Sequence, residues 1–485
     1  MNRNPLLRTD VYKLGHMLQY RPGTTKVYSY LCARSKKNFD STLFFGLQYY
    51  LREYLSQPIT QEMADEFYRH HDAIVGPVPD DVRAKIQSLV KVGFWPLHIK
   101  AVREGSVVEN GNALMTITNT HPDFYWCVGF VESLLLKVWY PCTVATCSME
   151  YLKTIRRFFD MTVDEEQYGL LPFMVHDFGY RGDSSEEGAA ISGAAHLVNF
   201  VGSDTVPALG FVKEYYQPFS KDPIMLSVPA SEHSVMCSFG REGEIEAFRH
   251  MLNTYPEGIV SIVSDTFDVY KVLTDFCSEL HGEIVGRNGK TVFRPDSGDP
   301  ELVICGDPEE EEGTPAYLGC LRLLDQKFGH TVNPKGYKVL NDKVGLIYGD
   351  GMYLARYERI LERMMDMGYA ASNLVIGVGG ILRNHSRDTL GFAIKATYVE
   401  AGCQGVAIEK DPVTDHGKRS HKGLMYLNRI DGKYVTVDQC DINEECGGML
   451  LPAFSNGTFL THYGIDDVRQ LANMHIEAAT EAVAV

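Results

Sequence analysis

Seven times between residues 165 and 400, a short apolar run ends in a small cluster of Gly, Asp, Arg or His and passes into helix-like sequence. The clusters are HDFGYRG (176–182), GSD (202–204), SVPASEH (227–233), VSDTFD (263–268), RPDSGD (294–299), YGDGM (348–352) and GVGG (377–380). Their polar markers, Asp177, Asp204, His233, Asp265, Asp296, Asp350 and Gly379, recur at about 30 residues, the length of one βα unit. Only the step from Asp296 to Asp350 is long, and it contains the acidic stretch 307–312, read as a surface insertion. Such a chain is expected to be α/β, folded as a β/α barrel with buried strands and its chemistry at the strands' C-terminal ends. A doubly wound open sheet is the alternative, but it would gather ligand groups at one switch point.

The flanks follow a different grammar. Residues 26–33 alternate like a strand, and 98–102 and 114–120 bracket the turn signal Asn110-Gly111. Pro122 then opens an apolar helix. After about 400 comes a basic, turn-rich loop (411–422), then a hairpin signal at Asp431-Gly432 and a helix-like terminus. Three regions are expected: an α+β region over 1–150, the barrel over 165–400, and a segment over 401–485 that packs back on the first.

Formal net charge is −17, from 46 Lys+Arg and 63 Asp+Glu, which disfavours nucleic acid or an anionic membrane as partner. An anionic ligand must therefore meet a local basic pocket. The eleven cysteines form no C-x-x-C pair and read as reduced thiols. The N-terminus lacks the apolar stretch of about 7–15 residues that a signal peptide needs. The most apolar segment, 125–145, is interrupted by Glu132, Lys137 and Pro141, so it reads as a buried helix. A soluble cytoplasmic protein is expected. No His or Cys spacing suits zinc, so no metal held by the protein alone is expected.

In a barrel the clusters converge on one mouth and form a single inventory. It holds Arg181, Arg294 and Arg387, the carboxylates Asp177, Asp204, Asp265, Asp296 and Asp350, His233, and glycines 349, 351, 379 and 380. Arginine forks and glycine N–H groups suit phosphate, although each Arg alone could be a solvated charge and GVGG a tight turn. Arg387 is expected two turns into a helix after GVGG. His233 and Asp265 close neighbouring units, so a carboxylate could hold one imidazole nitrogen and free the other as a base or nucleophile; a purely structural pair is the alternative. Phe178 is either core or a stacking platform for a planar ring. The carboxylates could hold Mg²⁺ jointly with a ligand phosphate.

These motifs, with Thr9-Asp10-Val11-Tyr12-Lys13, Phe45-Gly46-Leu47-Gln48-Tyr49 and Lys410-Asp411-Pro412-Val413, resemble the nicotinate/nicotinamide phosphoribosyltransferase family nearly end to end. The resemblance implies an irregular barrel of the type II phosphoribosyltransferase kind with an additional α+β domain. It implies attack of nicotinamide on phosphoribosyl diphosphate in NAD salvage. By resemblance, Arg181, His233 and Arg294 engage the diphosphate with Mg²⁺. Phe178, Arg294, Asp204 and a second subunit's Tyr12 hold the pyridine, Asp204 accepting the carboxamide N–H. Asp296, Gly349, Asp350, Gly380 and Arg387 hold the ribose and 5′-phosphate. ATP is a coupling co-substrate that phosphorylates His233, oriented by Asp265, with Arg34, Lys395, Lys410 and Lys418 near its phosphates. Asp10 and Arg34 match positions entering from the other subunit, which implies a homodimer. The alternatives are a nicotinate enzyme on the same barrel and a homologue that binds or signals without turnover.

Overall fold

Five short strands, three of them rich in valine and isoleucine, make one parallel sheet: Val175–Asp177, Leu374–Val378, Val344–Tyr348, Asn288–Arg294 and Glu257–Val263, in that spatial order. Valine and isoleucine favour strands because their branched side chains pack well on a pleated surface. Three parallel bridges, Asp177↔Ser203, Gly202↔Leu226 and Ala230↔Ser261, carry the pairing on through two further extended segments. The pairings thus return to the strand where they began. An open doubly wound sheet would keep two unpaired edges; this one curls into the expected barrel, irregular because two staves are held only by bridges. The computed structural model describes residues 3–402, 404–414 and 419–483, with side chains to Glu477.

Helices on the outside follow from local signals. Ser185 caps Glu186–His196 by accepting from the Gly188 N–H. Leu354–Asp366 buries Tyr357, Ile360, Leu361 and Met364, a stripe at helical spacing. The long step between Asp296 and Asp350 holds helices Pro300–Cys305 and Pro315–Phe328 and the hairpin His330–Val332/Lys338–Leu340. The exposed acidic stretch is only part of that insertion.

The barrel unit is built chiefly from Cys147–Phe211 and Lys221–Asn384, with the last residues from Ala479 assigned to it; Met1–Thr146, Val212–Ser220 and His385–Ala478 form the other unit. Its core is a seven-stranded antiparallel sheet ordered Gln404–Ala407, Ala393–Ala401, Thr24–Cys32, Met115–Asn119, Leu97–Ala101, Leu451–Ser455 and Thr458–Phe459. Ala393–Ala401, which the sequence reading assigned to the barrel region ending near 400, pairs with Thr24–Cys32 from Thr24↔Ala401 to Cys32↔Ala393. The chain therefore joins this unit at His385, because that strand's partner is antiparallel and N-terminal. The hairpin Leu424–Ile430/Lys433–Cys440 turns on Asp431 (φ 49°) and Gly432 (φ 78°), the left-handed pair of a type I′ turn.

Glu104 is sealed inside this unit and accepts from the Gly46 N–H (2.9 Å), the Gln48 N–H (2.7 Å) and the Tyr216 hydroxyl (2.7 Å). Burial, only partly offset by these bonds, pushes its carboxyl up to about 7. Asp466 accepts from Phe219 and Ser220 N–H at 3.0 and 2.7 Å, which fastens the short 212–220 excursion to the C-terminal helix Ile465–Val483. Pro122–Thr162 is the one helical stretch among the described residues long and apolar enough to cross a bilayer. Most of that stretch is buried, as in a core helix. The ten described cysteines are free.

Candidate active site

Every stave of the barrel ends in a polar group, so the C-terminal mouth collects what each turn carries. Phe178 and Arg181 follow Val175–Asp177, Asp204 follows the Gly202–Ser203 bridge, and His233 opens the turn after segment 226–230. Asp265 follows Glu257–Val263, Asp296 follows Asn288–Arg294, Gly349 and Asp350 follow Val344–Tyr348, and Gly380 follows Leu374–Val378.

Contacts knit neighbouring staves. His233 Nε2 lies 3.1 Å from Asp265 Oδ1; the imidazole is half exposed, the carboxylate nearly buried. Ser297 Oγ donates to the other Asp265 oxygen. Arg294 Nη2 donates to the Ser231 carbonyl at 2.9 Å, and its Nε is 3.3 Å from Asp296 Oδ2. Burial raises the Asp296 carboxyl, opposed by Arg294 and assisted by Asp265. Its buried Oδ1 has no side-chain hydrogen-bond partner among the described residues. The Arg294 guanidinium stands 6.0 Å from the centre of the half-buried Phe178 ring. That ring fills the space over Gly377, where a Cβ would come within 2.1 Å of Phe178 Cε2.

Asp204 sits between two donors. His176 Nε2 lies 3.2 Å from its Oδ1, and Ser227 Oγ donates to the same oxygen. Burial disfavours its charge, but these bonds and the nearby imidazole outweigh it and hold the carboxyl below its ordinary value.

Asp177 does not belong to the mouth. It is fully buried and paired with Arg383, whose Nε also donates to Asp183 Oδ2 at 2.6 Å. Ser203 Oγ and the Gly179 N–H donate to Asp177, and Ser192 Oγ donates to Asp183. A Cβ on Gly179 would sit 1.9 Å from Arg383 Nη1, so the arginine lies flat against the turn carrying Phe178 and Arg181. Asp183, Arg383, His176 and Ser227 were absent from the sequence inventory. His176 heads the HDFGYRG motif and Asp183 follows it, and Ser227 heads SVPASEH; Arg383 carries no signal beyond its closeness to GVGG.

Arg387 is a second departure. A single turn of 3₁₀ helix, Gly380–Leu382, follows the glycine loop instead of a longer helix. Ser386 and Thr389 side chains bond the local backbone and favour a turn. Arg387 falls in the other unit, its Nη2 2.6 Å from Asp388.

Tyr12, Arg34, Lys395 and Lys410 also belong to the antiparallel-sheet unit. The Tyr12 side chain is largely exposed, 5.2 Å from the His16 ring. Asp10 accepts from the Ser133 hydroxyl. Arg34 Nε donates to the Gly391 carbonyl at 3.2 Å, burial lowers the Lys395 ammonium, and Lys410 is exposed. Lys418 lies outside the described residues. No group of three or more His, Cys, Asp or Glu side chains among the described residues is arranged to hold a metal.

Residues 173–447 match the nicotinate phosphoribosyltransferase family model, and residues 4–75 match the N-terminal domain of nicotinamide phosphoribosyltransferase. A nicotinamide phosphoribosyltransferase of Acinetobacter baylyi is 38% identical over 98% of this chain and 98% of its own. One from Xanthomonas campestris pv. campestris is 40% identical over 97% of this chain and 98% of its own. In fold, the chain is similar to nicotinate-nucleotide pyrophosphorylase from Pyrococcus furiosus, with a TM-score of 0.60 at 15% identity, covering 99% of this chain and 96% of that one. Human nicotinic acid phosphoribosyltransferase gives 0.55 at 16%, covering 96% and 93%. Barrel, mouth and near full-length relatives agree: the chain belongs to the nicotinate phosphoribosyltransferase family, among its nicotinamide phosphoribosyltransferases.

Proposed function

We propose that the chain transfers the phosphoribosyl group of 5-phosphoribosyl 1-diphosphate to the ring nitrogen of nicotinamide, giving nicotinamide mononucleotide and diphosphate in NAD salvage. Asp204 carries this reading. It is an ionised carboxylate whose Oδ1 takes both side-chain hydrogen bonds, leaving Oδ2 with none among the described residues, on the stave beside the one that leads into Phe178. A carboxylate can accept from a carboxamide N–H and repels the carboxylate of nicotinate.

The C1–O bond breaks with its electron pair leaving on the diphosphate, while the pyridine lone pair forms the new C1–N bond. Charge grows positive on the ribose and negative on the leaving group. Arg181 and Arg294 act where the negative charge develops. Phe178 offers a face for the pyridine, which has no proton to lose. The second face falls to Tyr12 of another copy in a homodimer, a role that its exposure supports. Gly349, Asp350 and Gly380 suit the ribose and its phosphate. Mg²⁺ arriving with the diphosphate would neutralise part of its charge, and the Asp296 carboxylate suits that ion.

ATP is the coupling co-substrate. With Nε2–H given to Asp265, His233 keeps its lone pair on Nδ1. Attack there forms an N–P bond as the γ-phosphoryl leaves ADP. Arg34, Lys395, Lys410 and Lys418 suit the phosphates, and the free thiols suit a reducing cytosol.

The deciding experiment measures mononucleotide and diphosphate from phosphoribosyl diphosphate with nicotinamide or nicotinate, with and without ATP. Nicotinamide should be the substrate used. Preferred turnover of nicotinate would overturn the reading.

A further inference from the structure

We infer that His176, with Ser227, is the positioning residue that makes Asp204 select the pyridine. The inference rests on the proposed activity and extends it to residues that do not themselves touch the substrate. His176 lies in Val175–Asp177, where alternation sends Val175 and Asp177 into buried surroundings and His176 to the opposite face. Its ring occupies space that only glycine leaves open: a Cβ on Gly202 would lie 2.7 Å from His176 Nδ1. The ring is 5.1 Å from that of Phe178, so donor and stacking face are set side by side.

Three adjacent staves hold the carboxylate. The Asp204 N–H donates to the Asp177 carbonyl at 2.9 Å, the Ser203 N–H donates to the Leu226 carbonyl at 3.1 Å, and the Leu226 N–H donates to the Val201 carbonyl at 2.8 Å. From either side His176 Nε2 and Ser227 Oγ converge on one oxygen, Oδ1. Rotating the carboxylate would break both bonds, so Oδ2 stays the acceptor left over for a ligand. Donation from Nε2 also keeps Asp204 ionised and therefore unable to donate. A carboxylate in that state pairs with an amide N–H and has nothing to offer an anionic substituent. Selectivity thus depends on the pair of donors behind Asp204 as much as on Asp204 itself.

The test compares kcat/KM for nicotinamide and for nicotinate in His176→Phe, His176→Gln and Ser227→Ala. Phenylalanine keeps a ring against Gly202 and Phe178 but removes the donor; glutamine returns an N–H near the position of Nε2. In His176→Phe the nicotinamide-to-nicotinate ratio should fall about tenfold or more, the cost of one hydrogen bond to a charged group, mainly through KM for nicotinamide. His176→Gln should recover most of the ratio, and Ser227→Ala should lower it in the same direction. An unchanged ratio in folded His176→Phe, or equal losses in His176→Phe and His176→Gln, would overturn the inference. If His176→Phe does not fold, an unchanged ratio in Ser227→Ala overturns it as well. Wild-type protein that fails to use nicotinamide would instead sink the proposed activity, so the two failures are distinct.

Discussion

Arg383 and Asp177 are locked together away from water: Nη2 donates to Oδ2 at 2.9 Å, Nη1 lies 2.8 Å from Oδ1, and their side chains are 1% and 0% exposed. Removing one partner of such a pair strands a buried charge, at a cost of about 3–5 kcal/mol. Arg383→Met should therefore lower the denaturant midpoint markedly, and Arg383→Lys, which cannot bridge Asp177 and Asp183 together, should fall between. Burial disfavours the charge on Asp177, but Arg383 and then His196 outweigh it and hold the carboxyl below its ordinary value. That stabilisation is complete above about pH 4 and is lost as pH falls through the depressed value. A midpoint unchanged in Arg383→Met would refute the pair's structural weight.

The Phe178 ring and Gly377 compete for one volume. Gly377→Ala should expel the ring from its place over the strand and raise KM for the pyridine about tenfold or more, the scale set by losing an aromatic platform. Initial-rate kinetics with each substrate varied would check it. Equal KM values for wild type and variant would show that the ring is not a platform.

Glu104 sets a second pH dependence with the opposite sign. Its folded value, raised to about 7 by burial, exceeds the unfolded one, so the folded chain holds the extra proton. Its contribution is present below the unfolded value of about 4.3 and lost as pH rises towards 7. Stability of the wild type relative to Glu104→Gln should therefore fall between pH 5 and pH 7.5, read by urea unfolding. Parallel pH curves for the two proteins would contradict this.

His233 should take a phosphoryl label from ATP that is stable to base and labile to acid. His233→Ala should abolish the label, and Asp265→Asn, which no longer presents a carboxylate to Nε2, should slow it at least several-fold. Undiminished label in His233→Ala would move the acceptor elsewhere.

Mixing Tyr12→Ala with Arg294→Ala tests the shared site. Each alone should be nearly inactive, and hybrid dimers should recover part of the activity, up to about a quarter if exchange is random and each hybrid keeps one intact site. Exchange shown by mass spectrometry without recovered activity would exclude a site built from two copies.

The barrel was legible because every stave ends in a polar cluster, and that punctuation survives in one dimension. Asp177 was misread because a carboxylate after a strand looks the same whether it faces a ligand or a buried arginine. Its partner Arg383 is 206 residues away, a separation no local pattern spans. His176 is legible in principle, since period-two alternation sends it to the face opposite Asp177. Arg387 does not ride on a helix after the glycine loop, because Ser386 and Thr389 tie the backbone into a turn that glycine spacing does not signal. The early strands were legible from alternation alone; the pairing of Thr24–Cys32 with Ala393–Ala401 was not.

That last pairing governs how the chain can be made. Thr24–Cys32 lies between Met115–Asn119 and Ala393–Ala401, so on the ribosome one of its edges stays bare until nearly the whole polypeptide has emerged. At about 5–20 residues per second, a wait of roughly 370 residues lasts about 20–70 s. During that interval a nine-residue strand with six consecutive buried positions offers unpaired N–H and C=O groups to any neighbouring nascent chain. The barrel's staves, by contrast, meet their partners within a few βα steps for most of the ring. Yield from a heterologous host should thus be limited by the oldest strand in the chain, and chaperones that cover it would matter most while the barrel is still being translated.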